Sequence, residues 1–167
     1  MSIFDILNPQ PVTPSVPSAL PNVAKQNILL GRLPNLQPDA LLLRKGEACH
    51  YAERAIYEKR TVSKRRIRKN TGYSVPGLFK GSRIHVGGGN TEYVDDVKYT
   101  TIKGILYITT KRLIFVSAEE GFDRHIEDIV AVIPYANCIE FQFSKETLKL
   151  FVPDGNLPHI VLRLLSQ

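Results

Sequence analysis

Only two cysteines occur in the 167 residues, Cys49 and Cys138, far apart and outside any paired spacing. That argues against a disulfide-stapled scaffold and fits a reducing compartment, where each thiol serves as a small apolar side chain. Long apolar runs are missing as well, since none approaches the roughly 18 residues needed to span a bilayer. The opening MSIFDILNPQ lacks a basic segment followed by an apolar one, so no secretory leader is expected and a cytoplasmic location is. The four histidines, His50, His85, His125 and His159, are scattered, and none stands at a metal-ligand spacing from another histidine or cysteine. Cys49 and His50 are adjacent, and neighbours on a strand point to opposite faces, whereas a zinc site needs about four converging ligands. The triple glycine Gly87-Gly88-Gly89 lacks the Lys-Ser/Thr pair that would make a phosphate cradle, and reads as a strand connection. The chain therefore reads as non-catalytic, with no cofactor and no metal.

What is present suffices for one folded domain. Hydrophobic residues make up 43% of the chain, close to the globular average, and a body of about 130 residues buries a core without staples. Seven of the eleven prolines (Pro9, Pro11, Pro14, Pro17, Pro21, Pro34 and Pro38) fall before residue 39. Each fixes φ and removes a donor, which suits neither a long helix nor a central strand. Residues 1–40 thus read as a Pro-rich N-terminal tail or linker, and 41–167 as the domain. Within the tail, Asn22 to Gly31 (NVAKQNILLG) is expected to form a short helical turn ending at Gly31. The apolar residues of MSIFDIL read as a free end.

From Leu41 onward the periodicity is that of strands. Ala48 to Val62 interleaves Tyr51, Ile56, Tyr57 and Val62 with charges; Gly72 to Gly77 carries turn chemistry; Ser82 to Val86 alternates and is ended by the triple glycine. Tyr93 to Ile102 follows, with a break at Lys103-Gly104. Ile105 to Thr109 and Arg112 to Ser117 are two apolar strands separated by Thr110-Lys111, a tight hairpin. After a turn at Glu119-Glu120-Gly121 come Phe122 to Glu127 and then Ile129 to Pro134, apolar and β-branched like a strand buried on both faces. Ile139 to Ser144 and Thr147 to Val152 alternate cleanly around Ser144-Lys145-Glu146. Leu157, Ile160, Val161 and Leu164 then recur at i, i+3, i+4 and i+7, the stripe of an amphipathic helix, with Asn156 as a candidate cap and Pro158 in the first turn. The fold class expected is mainly β, about seven antiparallel strands in a barrel or sandwich, capped by one C-terminal helix.

Charge is concentrated. Arg54 to Lys69 holds eight basic residues against the single acid Glu58, while the whole chain has a formal charge of +6. That window alone exceeds the total, so basicity is local and implies an anionic partner at one place, unless it is simply a solvated face.

Several stretches resemble a known family. Gly104-Ile-Leu-Tyr-Ile-Thr-Thr-Lys-Arg-Leu-Ile-Phe115 is similar to the "LYxTNKRLIF" hairpin of GRAM-like and bacterial PH-like domains, with Thr110 where asparagine is more usual. Gly46-Glu-Ala-Cys-His50 resembles that family's "GE-x-x-H" entry to the first strand, and Lys80-Gly81 with Arg83 and Gly87 its second strand. Ile126 to Phe143 resembles its later "IPL" segment. The likeness covers roughly residues 41–166. It implies a PH/GRAM-like β-barrel or sandwich and, because such domains bind lipids, peptides or proteins, leaves the ligand open.

In lipid-binding PH domains the loop joining the first two strands grips inositol phosphates. By that resemblance Lys64, Arg65, Arg66, Arg68 and Lys69, with Lys80 and Arg83 entering the next strand, are the candidate anion-binding residues. Arg66-Ile67-Arg68, if extended, places two guanidiniums on one face for bidentate phosphate contact. The expected partner is an anionic membrane surface, giving peripheral association, or an acidic protein. A nucleic acid is the alternative, with Tyr73 and Phe79 as stacking candidates. A third reading has the sheet edge or Pro-rich tail recruit a protein, the basic loop being incidental.

Overall fold

The strand-forming half of the chain folds as one antiparallel sheet with helices at either end of the sequence. The computed structural model describes residues 14–76, 80–81 and 83–167. Along the chain come α1 (Asn22–Leu29), β1 (Cys49–Pro76), β2 (Arg83–Thr109), β3 (Arg112–Val116), β4 (Phe122–His125), a 3-10 turn (Ile126–Asp128), β5 (Ile129–Pro134), β6 (Cys138–Phe143), β7 (Thr147–Phe151) and α2 (Asn156–Leu165). The sheet order is β4-β3-β2-β1-β7-β6-β5. Sequential strands pair as two meanders, and β7 pairing with β1, Tyr57 opposite Leu150, joins them. Among the described residues β4 and β5 have no mutual pairing, so the sheet is open rather than a closed barrel.

The chain divides into two compact units, one made of residues up to Lys59 together with Thr101–Gln167, the other of Arg60–Thr100. The first unit holds the hydrophobic core. Tyr51, Leu106, Ile108, Leu113, Phe115, Ile139, Phe141, Leu148 and Leu150 point inward from five strands, alternate residues along each. Over them lies α2, whose Leu157, Val161 and Leu162 are buried. Each such side chain contributes about 1.5–3 kcal/mol by leaving water, ample for a ten-residue helix that would not persist alone. The N–H of Asn156 is satisfied by the Asp154 carboxylate at 2.8 Å, while Gly155 occupies the cap position. Asn156, expected as the cap, is the first residue of the helix instead.

The N-terminal segment is more than a linker from residue 14 onward. Leu20, Ala24 and Ile28 belong to the core, and Leu33 and Leu36 pack against it. The helix expected before Gly31 is α1, and Gly31 takes the positive φ (+75°) that lets the chain reverse. Leu36 also bridges to Cys49. Proline spacing shows only that this stretch is mostly extended; docking comes from the few apolar residues between prolines.

Three strand expectations are corrected. The basic stretch expected as a loop over 60–83 is strand through Pro76, and β2 runs without interruption through Gly87–Gly89 and through Lys103-Gly104. In the basic run and at the triple glycine the described side chains of residues 60–69 and 87–90 are all exposed, so the one-sided alternation that marks a strand is missing there. Ile129–Pro134, expected to be buried on both faces, is an edge strand with Val130 72% exposed. The strand expected to reach Glu127 ends at His125 and gives way to the 3-10 turn.

Gly104 is needed where it stands. A Cβ there would run into the Val116 carbonyl and lie 2.6 Å from the Phe115 ring.

Candidate functional site

Residues 60–100 form a two-stranded ribbon, the second half of β1 with the first half of β2. Nine basic residues and three acidic ones fall in this window, so it carries the whole formal +6 of the chain and the remainder is neutral. Every described side chain of 60–100 is exposed except Thr91, which is half-buried.

Strand alternation sorts these residues onto two faces. Arg60, Val62, Lys64, Arg66 and Arg68 share one face of β1, and Thr61, Ser63, Arg65, Ile67 and Lys69 the other. Lys69 Nζ lies 2.8 Å from Glu92 Oε2, and cross-strand pairs form between residues on the same face. Glu92, Val94, Asp96 and Lys98 of β2 therefore accompany Lys69, and Tyr93, Asp95, Val97 and Tyr99 accompany Arg66. A second cross-strand link, from Ser63 Oγ to the Asp96 carbonyl at 3.4 Å, agrees with that pairing.

The first face bears four cations against one acid, Asp95; the second bears three cations against two acids, one of them engaged with Lys69. The charge is thus polarised. Lys64, Arg66 and Arg68 come together in one row with Arg60, whereas Arg65 and Lys69 lie on the opposite side. Lys80 is exposed in the turn and Arg83 is exposed at the start of β2. Arg60, Tyr93 and Tyr99 were not singled out from sequence; the two tyrosines, 67% and 61% exposed, become visible as neighbours of the basic row only once β2 is paired. Phe79 and the Tyr73 side chain, the stacking candidates, lie outside the described residues.

Glu47 and His50 of the GE-x-x-H stretch and Thr109, Thr110 and Arg112 of the hairpin stretch lie in the first unit, in a polar joint at the start of the sheet. Arg112, only 6% exposed, donates from Nε to Glu47 Oε1 and from Nη2 to Glu47 Oε2, both at 2.8 Å, and from Nη1 to Asp123 Oδ2 at 2.7 Å. Its Nη2 also reaches the Leu42 carbonyl at 3.2 Å. Thr109 Oγ1 donates to Glu47 at 2.5 Å and accepts from the Arg112 N–H at 2.9 Å. The Arg44 N–H adds a further bond to Glu47 at 2.8 Å. The Arg112 guanidinium, outweighing burial, lowers the Glu47 carboxyl to about 2. His50 bonds the Pro34 carbonyl through Nδ1 at 2.8 Å and Thr110 Oγ1 through Nε2 at 3.2 Å, and Thr110 exchanges backbone and side-chain bonds with Ala48. Arg112, the first residue of β3, is the centre of this joint. Most of these bonds hold the entry to β1 against the β2–β3 hairpin, and the one to Asp123 ties β3 to β4.

Both thiols are buried and free. Burial pushes Cys49 up to about 11 and Cys138 upward as well, so each stays protonated and a weak nucleophile at neutral pH. Among the described residues, no three His, Cys, Asp or Glu side chains gather as metal ligands would, and no helix is long and apolar enough to cross a membrane. A cavity of about 250 Å³ beside α2, floored by Ile126, Ile129, Val132 and Leu162 with His159 and Arg163 at its edge, is mostly apolar. The ribbon is where charge and exposure coincide. Comparison with family models, with curated proteins and with solved structures returns no match to this chain.

Proposed function

We propose that this chain is a non-catalytic PH/GRAM-like binding module whose basic ribbon, residues 60–100, engages an anionic partner. The observation that carries the reading is the one-sided row Arg60, Lys64, Arg66 and Arg68, exposed along a single strand face with one acid beside it. Like charges so arranged repel one another in the free protein, and an anionic partner relieves that repulsion while releasing its own counterions. Three of the four are arginines, whose planar forks suit oxyanions and are weakly hydrated. The family resemblance supports a binding role rather than chemistry, and the polar joint at Glu47 and Arg112 accounts for its motif residues as framework.

Retention of the full chain on immobilised heparin, a general polyanion, tests this. The wild type is expected to elute at elevated salt, and Arg66→Glu/Arg68→Glu at markedly lower salt. The charge-matched Arg32→Glu/Lys145→Glu, at exposed positions of the first unit, is expected to elute close to wild type. Equal losses in the two double variants would reduce the ribbon to one contributor to net charge and remove its claim to be a site.

A further inference from the structure

We propose that the anionic partner of the ribbon is single-stranded nucleic acid, lying along the face that carries Arg60, Lys64, Arg66 and Arg68 on β1 and Tyr93 and Tyr99 on β2. This rests on the polyanion-binding reading above and narrows it.

Three features of that face favour a single strand. The cations form a line, not a cluster: alternate residues of a strand are about 7 Å apart, so Arg60 to Arg68 extends about 27 Å. A linear array with that repeat fits a linear polyanion contacting one phosphate after another. Beside it runs a second line, Tyr93, Val97 and Tyr99, exposed by 67%, 38% and 61%. Tyrosines this exposed on a sheet face offer flat surfaces on which unpaired bases stack. Adjacent strands are about 4.8 Å apart, which places phosphate contacts on one strand and base contacts on its neighbour, side by side. A duplex hides its base faces and would leave the tyrosines unused. The opposite face of the ribbon, where Glu92 and Asp96 stand among three cations, carries less net positive charge and offers a polyanion the weaker surface.

Fluorescence anisotropy on the full chain decides it, with a labelled oligothymidine of roughly 12 nucleotides, a duplex of equal length, and vesicles containing phosphatidylserine as alternatives. The oligothymidine is expected to bind more tightly than the duplex, with affinity falling with salt at a log–log slope of about −3 for four phosphates. Tyr93→Ser/Tyr99→Ser should weaken single-strand binding by about ten-fold or more while leaving heparin retention unchanged, and Tyr93→Phe/Tyr99→Phe should restore it. The tyrosines' exposure makes these variants safe for folding, which an unchanged thermal melt verifies. If heparin retention persists but the duplex or the vesicles bind as tightly as the single strand, or the serine variant binds like wild type, the single-strand inference falls and the polyanion reading stands. If heparin is not retained and none of the probes binds, both fall together.

Discussion

Arg112 and Glu47 face each other through two parallel hydrogen bonds, Nε to Oε1 and Nη2 to Oε2, each 2.8 Å long. They are 65 residues apart in sequence, and both are nearly excluded from solvent. Such a pair stabilises little relative to an apolar replacement of both partners, yet breaking it strands a buried charge. Arg112→Leu is therefore expected to cost about 3–5 kcal/mol in urea unfolding, and Glu47→Leu/Arg112→Leu clearly less than the sum of the single changes. Additive losses would show that the two do not act as a pair.

The same contact predicts a pH dependence. The Glu47 carboxyl is held at about 2 in the folded chain against an ordinary 4.5. A lowered folded-state value means that the stabilisation is fully present above about pH 4.5 and is lost as pH falls towards 2. The gap corresponds to about 3 kcal/mol. Glu47→Gln should be less stable than wild type at pH 7, with the difference shrinking steadily between pH 5 and pH 2; a difference independent of pH would contradict the assignment.

Glu53 anchors the N-terminal segment. It is 1% exposed and accepts bonds from Ser18 Oγ at 2.7 Å, the Ala19 N–H at 2.5 Å and the Leu20 N–H at 3.3 Å. Glu53→Ala leaves these donors unsatisfied and is expected to destabilise by about 1–3 kcal/mol. It should also open the chain near residues 14–20 to protease at a rate that Ser18→Ala alone does not reach. Limited proteolysis followed by mass measurement reads out both effects.

Gly104 and Gly155 are expected to reject alanine, whereas Gly88 should accept it. A Cβ at 104 meets Phe115 and Val116, and one at 155 meets the carbonyls of Cys138 and Tyr135; at 88 nothing lies within 4 Å. Overpacking of this kind costs about 1–3 kcal/mol, while a glycine on an open strand weakens it slightly. Thermal melts of the three alanine variants should therefore separate cleanly, with Gly88→Ala at or above wild type.

The ribbon should be the less protected part of the sheet. A two-stranded ribbon exposed on both faces is marginal by itself in water, whereas β2 beyond residue 104 is flanked by β3 and lies over the core. Amide hydrogens of residues 62–68 and 92–98 are expected to exchange much faster than those of 105–108 and 113–116. Adding the partner should slow the first set selectively.

Much of the first unit was legible in the sequence because its strands are buried on one face. Ile139, Phe141 and Phe143 alternate with polar residues, and Leu148 and Leu150 flank Lys149, since one side meets the core and the other is more open to water. The stripe of α2 and the short helix before Gly31 follow from equally local rules. Burial leaves a period, and a period can be read. Where neither face is buried, as in residues 63–69 and 87–90, there is no period, and strand was mistaken for loop or break.

By itself, the amino-acid sequence determined that this chain is mainly β with a C-terminal helix, and that its positive charge gathers around residues 54–69. Tertiary structure decided where the charges lie and what stands beside them. It withdrew Arg112 into a buried pair with Glu47, tied Lys69 to Glu92, and divided the remaining cations between two faces of a ribbon, one of them shared with Tyr93 and Tyr99. The physical reason is that charge is additive along a sequence but interacts across space. Only strand pairing brings residues 60–68 beside residues 93–99, and only that neighbourhood turns a basic run into a surface with a shape.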